Sequence, residues 1–459
     1  MQQLEHVRHP EDAGISSAGL LAYLNAREAA GVEHHAIWVI RHGKVACRMS
    51  FAPYDDRTPH MLFSLSKSFC SAAAGFAVAE GLMDWDTRLI DVLPEAFPNN
   101  PSDWLRSITL HHLLTMGSGL KPESDKVFTD HWARDILALG CDHEPGTHFH
   151  YNSHGTYLVS CMVQRVTGMT VRDYLIPRLF RPLGMLSPDG TPPEWDSCPD
   201  GVNIGGWGLW LSCAQIAPFA QCLLQRGMWD GDQVLPRAWI DRATHIRIDN
   251  GNGEHTTDND WNMGYGYQFW MCRGDRAEGC TPRYRGDGMY SQFAIVDEKR
   301  DMAVCCVSGQ ADIGQALTLI YDHIFAAADM PPADASAQAE LEKRLTALSY
   351  PWPTHDGSAL PIGTYADTKS HAILTIAADQ VTFNPNGRDA FHFHVGSAMN
   401  DGAFRACCGM EDGVLRMLMR FLRGPFTMAL TCRFSGEQVE LTLTGVGQTA
   451  ATLRLTRQS

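Results

Sequence analysis

Two groups of strand-forming residues stand far apart in the chain and enclose a stretch that reads mostly as helix, and this separation dictates the layout of the first domain. Ala36-Ile37-Trp38-Val39-Ile40 and Val45-Ala46-Cys47, joined through Arg41-His42-Gly43-Lys44, read as strand, tight turn and strand. Strand signals return at Tyr265 to Trp270, at Ser291 to Val296 and at Met302 to Val307, with Asp297 to Asp301 as the turn of a hairpin. Between them, Thr156 to Val166 is apolar at helical spacing, Ile108 to Leu114 is a short capped helix, and Ser212 is placed to cap Ile216 to Leu224. Ser16 or Ser17 opens a helix through Leu20, Tyr23 and Leu24, and Ala316 to Ala327 reads as another. The expectation is an α/β domain in which an antiparallel sheet from the two ends is flanked by helices, with a helical region inserted.

The pattern changes after Met330-Pro331-Pro332-Ala333, and Tyr350-Pro351-Trp352-Pro353 is a second break. Beyond it come short alternating strands such as Ala372 to Ile376, Val439 to Leu443 and Thr452 to Leu455. These predict a separate, all-β, mainly antiparallel domain, with a barrel as one way of closing it. We therefore expect a first domain over residues 1–335 and a second over 336–459. A chain of 459 residues with 44% hydrophobic and 19% charged residues has material for two cores. Its net charge of -15 argues against nucleic-acid or anionic-membrane partners. The N-terminus lacks a basic start followed by an apolar core, and no apolar run is long enough to span a membrane, so the expectation is cytoplasmic. The fourteen cysteines, with no Cys-x-x-Cys pair, then read as reduced thiols.

Phe63-Ser64-Leu65-Ser66-Lys67 stands at the mouth of the apolar run Phe69 to Ala79. In a helix, Ser64 and Lys67 lie one turn apart on one face, which places an amine beside a hydroxyl. Serine needs a neighbouring base to become a nucleophile, and the free amides of a helix N-terminus favour negative charge beside it. Ser118-Gly119-Leu120-Lys121 repeats the spacing between glycines and ahead of Pro122, and reads as a loop. Ser64 alone reads equally as a helix cap with an exposed lysine. Tyr151, between the Glu144-Pro145-Gly146 turn and an apolar helix, can put a phenol into a cleft as a proton relay; the plainer reading is a loop anchor. His143, His148, His150 and His154 crowd together, but a metal needs His150 and His154 on one continuous helix, and Tyr151-Asn152-Ser153 reads as loop. No metal and no cofactor is expected. His392 and His394 share one strand face and read as surface residues.

The ordered set Ser64-x-x-Lys67, Tyr151-Asn152-Ser153, and Arg285-Gly286-Asp287-Gly288-Met289-Tyr290-Ser291-Gln292 resembles the penicillin-recognising serine hydrolases. It is most similar to the class C β-lactamase-like branch, with its esterases, D-amino-acid peptidases and 6-aminohexanoate-dimer hydrolases. Ile108 to Thr115 with Ser118-Gly119-Leu120, Leu179 to Met185, and Gly206-Trp207-Gly208-Leu209 with Gly227 to Gly231 extend the likeness over residues 10 to 330. The resemblance implies a β-lactamase/transpeptidase-like fold and a serine hydrolase in which Ser64 is acylated, Lys67 assists and Tyr151 moves protons. It implies an oxyanion site between the amides of Ser64 and Met289, beside Gly288.

Two departures bear on the substrate. The family's second motif is usually Tyr-x-Asn, whereas Asn152 and Ser153 stand here; both remain candidates for substrate contact. The third motif usually opens with Lys or His, and Gly286 takes that place, leaving Arg285 as the candidate to hold a substrate carboxylate. The expectation is a small ester, amide or short peptide substrate. A catalytically silent binding protein of the same fold and a true β-lactamase are the alternatives.

Overall fold

The computed structural model describes residues 4–122, 129–252, 260–273, 283–367, 369–447 and 449–458. The chain divides into two compact units, one of Met1–Met49 with Pro59–Ala347 and one of Ser50–Thr58 with Leu348–Ser459. The short segment Ser50–Thr58 belongs with the second because Ala52 N donates to Leu348 O at 3.0 Å and Tyr350 N to Ala52 O at 2.7 Å.

The first unit is built on a seven-stranded sheet. Its strands are β1 (Glu5–His6), β2 (His34–Arg41), β3 (Lys44–Ser50), β4 (Trp270–Met271), β5 (Arg283–Gly288), β6 (Gln292–Asp297) and β7 (Met302–Ser308). They lie in the order β1-β3-β2-β7-β6-β5-β4, so β2 pairs with β7 and unites the two ends of the domain. That pairing is antiparallel, with Val39 opposite Val304. β6 and β7 are buried along their whole length, and both faces are therefore covered. This accounts for apolar runs without alternation in β2 and β7. The strand expected over Tyr265 to Trp270 shrinks to Trp270–Met271. Gln268 turns to φ +67, and Gly266 N closes a turn onto Phe269 O at 2.9 Å, so the earlier residues leave the ladder.

Helices α1 (Ser17–Ala30), α2 (Ser66–Ala79), α3 (Ser153–Thr167), α4 (Cys213–Leu224), α5 (Ile313–Leu319) and α6 (Ala335–Thr346) surround the sheet or fill the insertion. α4, capped by Ser212 with Gln215 in a reciprocal box, packs on β2, β6 and β7. α6 packs on α1, where Arg344 pairs with Glu28 at 3.0 Å. α2 is buried from Ser66 through Ala77, so it is a core helix and not a surface one. Its small residues Ala72, Ala73 and Ala74 let neighbours approach, and its hydroxyls hold them: Ser68 Oγ donates to Gln268 O at 2.9 Å and Ser71 Oγ to Tyr267 O at 2.8 Å.

The second unit is a closed nine-stranded barrel. Its strands are β8 (Gly363–Ala366), β9 (Ile373–Ile376), β10 (Gln380–Asn384), β11 (Phe391–Val395), β13 (Phe404–Glu411), β14 (Val414–Phe421), β15 (Thr427–Ser435), β16 (Gln438–Thr444) and β17 (Ala451–Arg457), with β12 (Met399–Asp401) paired outside the ring. Neighbours run antiparallel except at the seam, where β11 and β13 pair parallel through His394 with Cys407 and Val395 with Cys408. Closure removes the free edges that short alternating strands would otherwise expose. Leu374, Ile376, Val381, Phe383, Leu430, Cys432 and Leu441 point into its core.

The cysteines among the described residues are free thiols, all but Cys141 buried. Burial pushes the Cys47 and Cys222 thiols up to about 12, which keeps them protonated and unreactive. No helix among the described residues is long and apolar enough to cross a membrane.

Candidate active site

Ser64 lies in a single 3-10 turn, Phe63–Leu65, that feeds directly into α2. Phe63 adopts φ +46, a left-handed conformation that costs a bulky residue on the order of 1–3 kcal/mol and persists only where its surroundings hold it. Lys67 follows one turn later and is 1% exposed. Its Nζ is 3.0 Å from Ser64 Oγ, 3.0 Å from Ser153 Oγ and 2.8 Å from the carbonyl oxygen of Gly206. One buried amine thus joins the first motif, the start of α3 and the glycine-rich loop before Leu209.

The Tyr151-Asn152-Ser153 segment is a helix start. Asn152 caps α3, accepting from Gly155 N at 3.1 Å, and its amide donates to Lys121 O at 3.2 Å. Its side chain is thereby turned away from Lys67, while Ser153, the first helical residue, faces the amine. Tyr151 lays its ring 4.8 Å from Lys67 Nζ and stacks on Trp270 with centroids 5.2 Å apart. Behind it stands the buried Tyr265, whose phenol is held well above its usual range by burial and then by Tyr151 and Asp287. The Gly206 loop can reach Lys67 because a Cβ at Gly206 would stand 2.8 Å from Ser153 O, a place only glycine fills.

The third motif is the end of β5. Gly288 abuts the Ser64 turn: a Cβ there would overlap Leu62 O and stand 3.1 Å from Leu65 N. At Gly286 a Cβ would lie 2.5 Å from Ser68 Oγ and 2.6 Å from Leu65 Cδ1. The position where the resemblance leads one to expect a cation therefore faces Ser68 and Leu65, which fill the space a long side chain would need. Met289 follows and is 57% exposed.

Arg285 lies on the opposite face of the strand from the glycines. It is fully buried, donates to Asp287 Oδ2 at 2.7 Å, approaches Asp260 Oδ1 at 3.8 Å, and sits 4.9 Å from the Trp261 ring and 5.7 Å from that of Trp270. Arg273 pairs with the other oxygen of Asp260 at 3.3 Å, so two guanidinium and two carboxylate groups balance in this layer. Burial pushes the Asp287 carboxyl above its ordinary range, while the charges of Arg285 and then Lys67 pull the other way.

Of the residues singled out in the sequence, Ser64, Lys67, Tyr151 and Ser153 come together, with Gly288 and Met289 at the adjoining strand end. Asn152 and Arg285 have their side chains engaged elsewhere. The Gly206 carbonyl as a partner of Lys67 goes beyond the sequence reading, in which Gly206-Trp207-Gly208-Leu209 counts only as a segment that extends the likeness. Ser118 is a buried loop residue whose Oγ accepts from Leu120 N at 3.4 Å. His143 and His148 stack on each other at 4.1 Å, and no cluster of three or more metal-ligating side chains occurs among the described residues.

A sheet joined from the two ends of the domain, an inserted helical region, and a half-buried Ser64 set against the buried Lys67 are the frame of the β-lactamase fold. The chain belongs to the beta-lactamase family, whose model matches residues 24–329. It is 30% identical over 209 residues to penicillin-binding protein 4 of Amycolatopsis lactamdurans, a match covering 38% of this chain and 53% of that protein. It is 24% identical over 314 residues to the 6-aminohexanoate-dimer hydrolase of Paenarthrobacter ureafaciens, covering 60% of this chain and 73% of that one. In fold it is similar to the octameric penicillin-binding protein homologue from Pyrococcus abyssi, with a TM-score of 0.52 at 16% identity over 96% of this chain and 99% of that one.

Proposed function

We propose that this chain is a serine hydrolase that cleaves an ester or amide bond through an acyl-enzyme on Ser64. The observation that carries this reading is the Lys67 amine, buried and 3.0 Å from Ser64 Oγ. A neutral amine in that place donates its two hydrogens to Gly206 O and Ser153 Oγ and keeps a lone pair for the Ser64 proton. Ser64 Oγ then bonds to the substrate carbonyl carbon, and the carbonyl oxygen, now negative, lies between the amides of Ser64 and Met289. The bond to the leaving alcohol or amine breaks as that group takes up a proton through Tyr151, and water repeats the sequence on the acyl-enzyme. A second proton route runs through Ser153, and the 3.0 Å contact between its Oγ and Lys67 Nζ favours it.

The substrates are small esters, amides or short peptides without a carboxylate beside the scissile bond. Gly286 has no room for a gripping cation and Arg285 is committed to Asp287 and Asp260. Efficient penicillin hydrolysis is correspondingly disfavoured. The 6-aminohexanoate-dimer hydrolase among its relatives supports amide cleavage.

Labelling with a fluorophosphonate, read by intact mass, tests the proposal. One adduct is expected on the wild type and none on Ser64→Ala, with Tyr151→Phe or Ser153→Ala slowing p-nitrophenyl ester turnover by orders of magnitude according to which carries the proton. A folded wild type that takes no adduct from any acylating agent would point to a silent binding protein instead.

A further inference from the structure

The hairpin from β5 to β6 closes on the pair Gly288 and Gln292, leaving Met289, Tyr290 and Ser291 as its connection. Two of these three, Tyr290 at φ +60 and Ser291 at φ +66, adopt left-handed backbone without being glycine. Such a turn persists only where its surroundings over-determine it. The Gln292 side chain does so. It is fully buried, and its Nε2 lies 3.3 Å from Met289 O, 3.0 Å from Tyr290 O and 2.8 Å from Ser308 O, while its Oε1 accepts from Ser308 N at 3.2 Å. Ser291 Oγ adds a bond to Gln310 O at 3.0 Å, and the Tyr290 ring rests 5.4 Å from that of Phe63.

From this geometry we infer that Gln292 is a positioning residue, which aims the Met289 amide at the substrate oxyanion by holding the carbonyls of its own turn. The inference rests on the Ser64 acyl-enzyme reading and adds a specific requirement to it. The peptide that bears the Met289 N–H is clamped on one side by Gly288 against Leu62 and Leu65. On the other side, the Met289 carbonyl is fixed by Gln292 and anchored through Ser308 to β7. The exposed Met289 side chain contributes nothing to this aim. An amide donor stabilises a developing oxyanion only when it is already oriented, since reorientation during the reaction returns the gain. Gln292 also accounts for how two non-glycine residues hold the turn: its amide lies within hydrogen-bond distance of the carbonyls on either side of the Tyr290 amide.

Two variants test this. Gln292→Leu keeps the volume and removes the donors. Gln292→Glu keeps the acceptor for Ser308 N but presents a carboxylate to three carbonyls, and regains an O–H donor when protonated. Rates on a p-nitrophenyl ester are normalised to sites counted by fluorophosphonate labelling carried to completion. We expect kcat per site to fall about 10²-fold to 10³-fold in both at neutral pH, with KM within about threefold. Lowering the pH should restore Gln292→Glu at least tenfold relative to wild type, a response that a simple packing role does not produce. If Gln292→Leu does not fold, the pH response of Gln292→Glu decides. Wild-type rates in either variant, a Gln292→Glu rate that ignores pH, or loss of the native circular dichroism spectrum in both would overturn the inference. An absence of labelling on wild-type Ser64 would overturn the underlying mechanism instead.

Discussion

Adding one methyl group to β5 should separate stability from catalysis, depending on which glycine receives it. In Gly288→Ala the new Cβ falls far inside the 3.0 Å practical limit for such contacts, against the backbone oxygen of Leu62, and 3.1 Å from Leu65 N. Neither atom can rotate away, so the strand end and the Ser64 turn must part by about 1 Å, a displacement that can cost about 10²-fold in rate when it falls between reacting groups. Both proposed oxyanion donors ride on the separated segments, Ser64 on one and Met289 on the other. We therefore expect kcat to fall by about 10²-fold or more. Overpacking should cost about 1–3 kcal/mol in stability. In Gly286→Ala the obstacles are Ser68 Oγ at 2.5 Å and Leu65 Cδ1 at 2.6 Å, both side-chain ends. They can turn aside, at the expense of the Ser68 bond to Gln268 O, so stability should fall by a similar amount with kcat reduced less than about tenfold. Burst kinetics with a p-nitrophenyl ester give acylation and deacylation separately, and urea unfolding gives the stabilities. Gly288→Ala with wild-type acylation, or Gly286→Ala with the larger catalytic loss, would refute the claim that the Gly288 contact sets the site.

Substrate charge offers another check: mono-p-nitrophenyl glutarate should show a kcat/KM about tenfold or more below that of p-nitrophenyl valerate at low salt, because Gly286 supplies no cation and Arg285 is already paired. Equal values would show that a carboxylate is accommodated after all. Away from the site, the buried His34 imidazole, whose Nδ1 meets the Tyr23 hydroxyl, is lowered to about 3 by burial first and by Arg27 next. Between pH 6.5 and about 3 the unfolded chain binds a proton at this residue that the folded chain refuses, so stability falls as pH falls through that window, by about 1.4 kcal/mol per unit and about 5 kcal/mol in all. The variant His34→Asn lacks the titrating group, so the difference in urea-unfolding free energy between wild type and variant should carry that slope; parallel pH curves would contradict it.

The parts of this molecule legible from sequence are those in which local chemistry and long-range packing ask for the same residues. The helix after Ser64 announces itself because a core helix is covered on every side, and α2, mostly small and apolar after Lys67, is buried from Ser66 through Ala77. The barrel strands alternate because one face meets the core and the other water. The site divides along the same line. Ser64 and Lys67 share a helix face, so their meeting is a matter of spacing. Asn152 and Ser153 are neighbours whose roles depend on where α3 begins. Once Asn152 caps the helix, Ser153 becomes its first residue and its hydroxyl, not the amide, meets Lys67. That one-residue decision lies below the resolution of apolar periodicity.

The third motif illustrates the opposite case, in which the sequence looks like a simple loss and the structure shows a substitution of function. Gly286 reads as a missing cation, with Arg285 next to it as the natural replacement. A side chain at 286 points at α2, however, and one at 285 points to the other face of the strand, because successive residues alternate across it. Arg285 therefore could not stand in for residue 286 without a register shift that would also move Gly288 off the Ser64 turn. The strand keeps its register, the guanidinium joins Asp287 and Asp260 behind the Trp261 and Trp270 rings, and the proposed oxyanion geometry is preserved without the cation. The proposed nucleophile machinery and a substrate-gripping charge are thus separable on this scaffold, since the first depends on the glycine face of β5 and the second on a long side chain for which Ser68 and Leu65 leave no space.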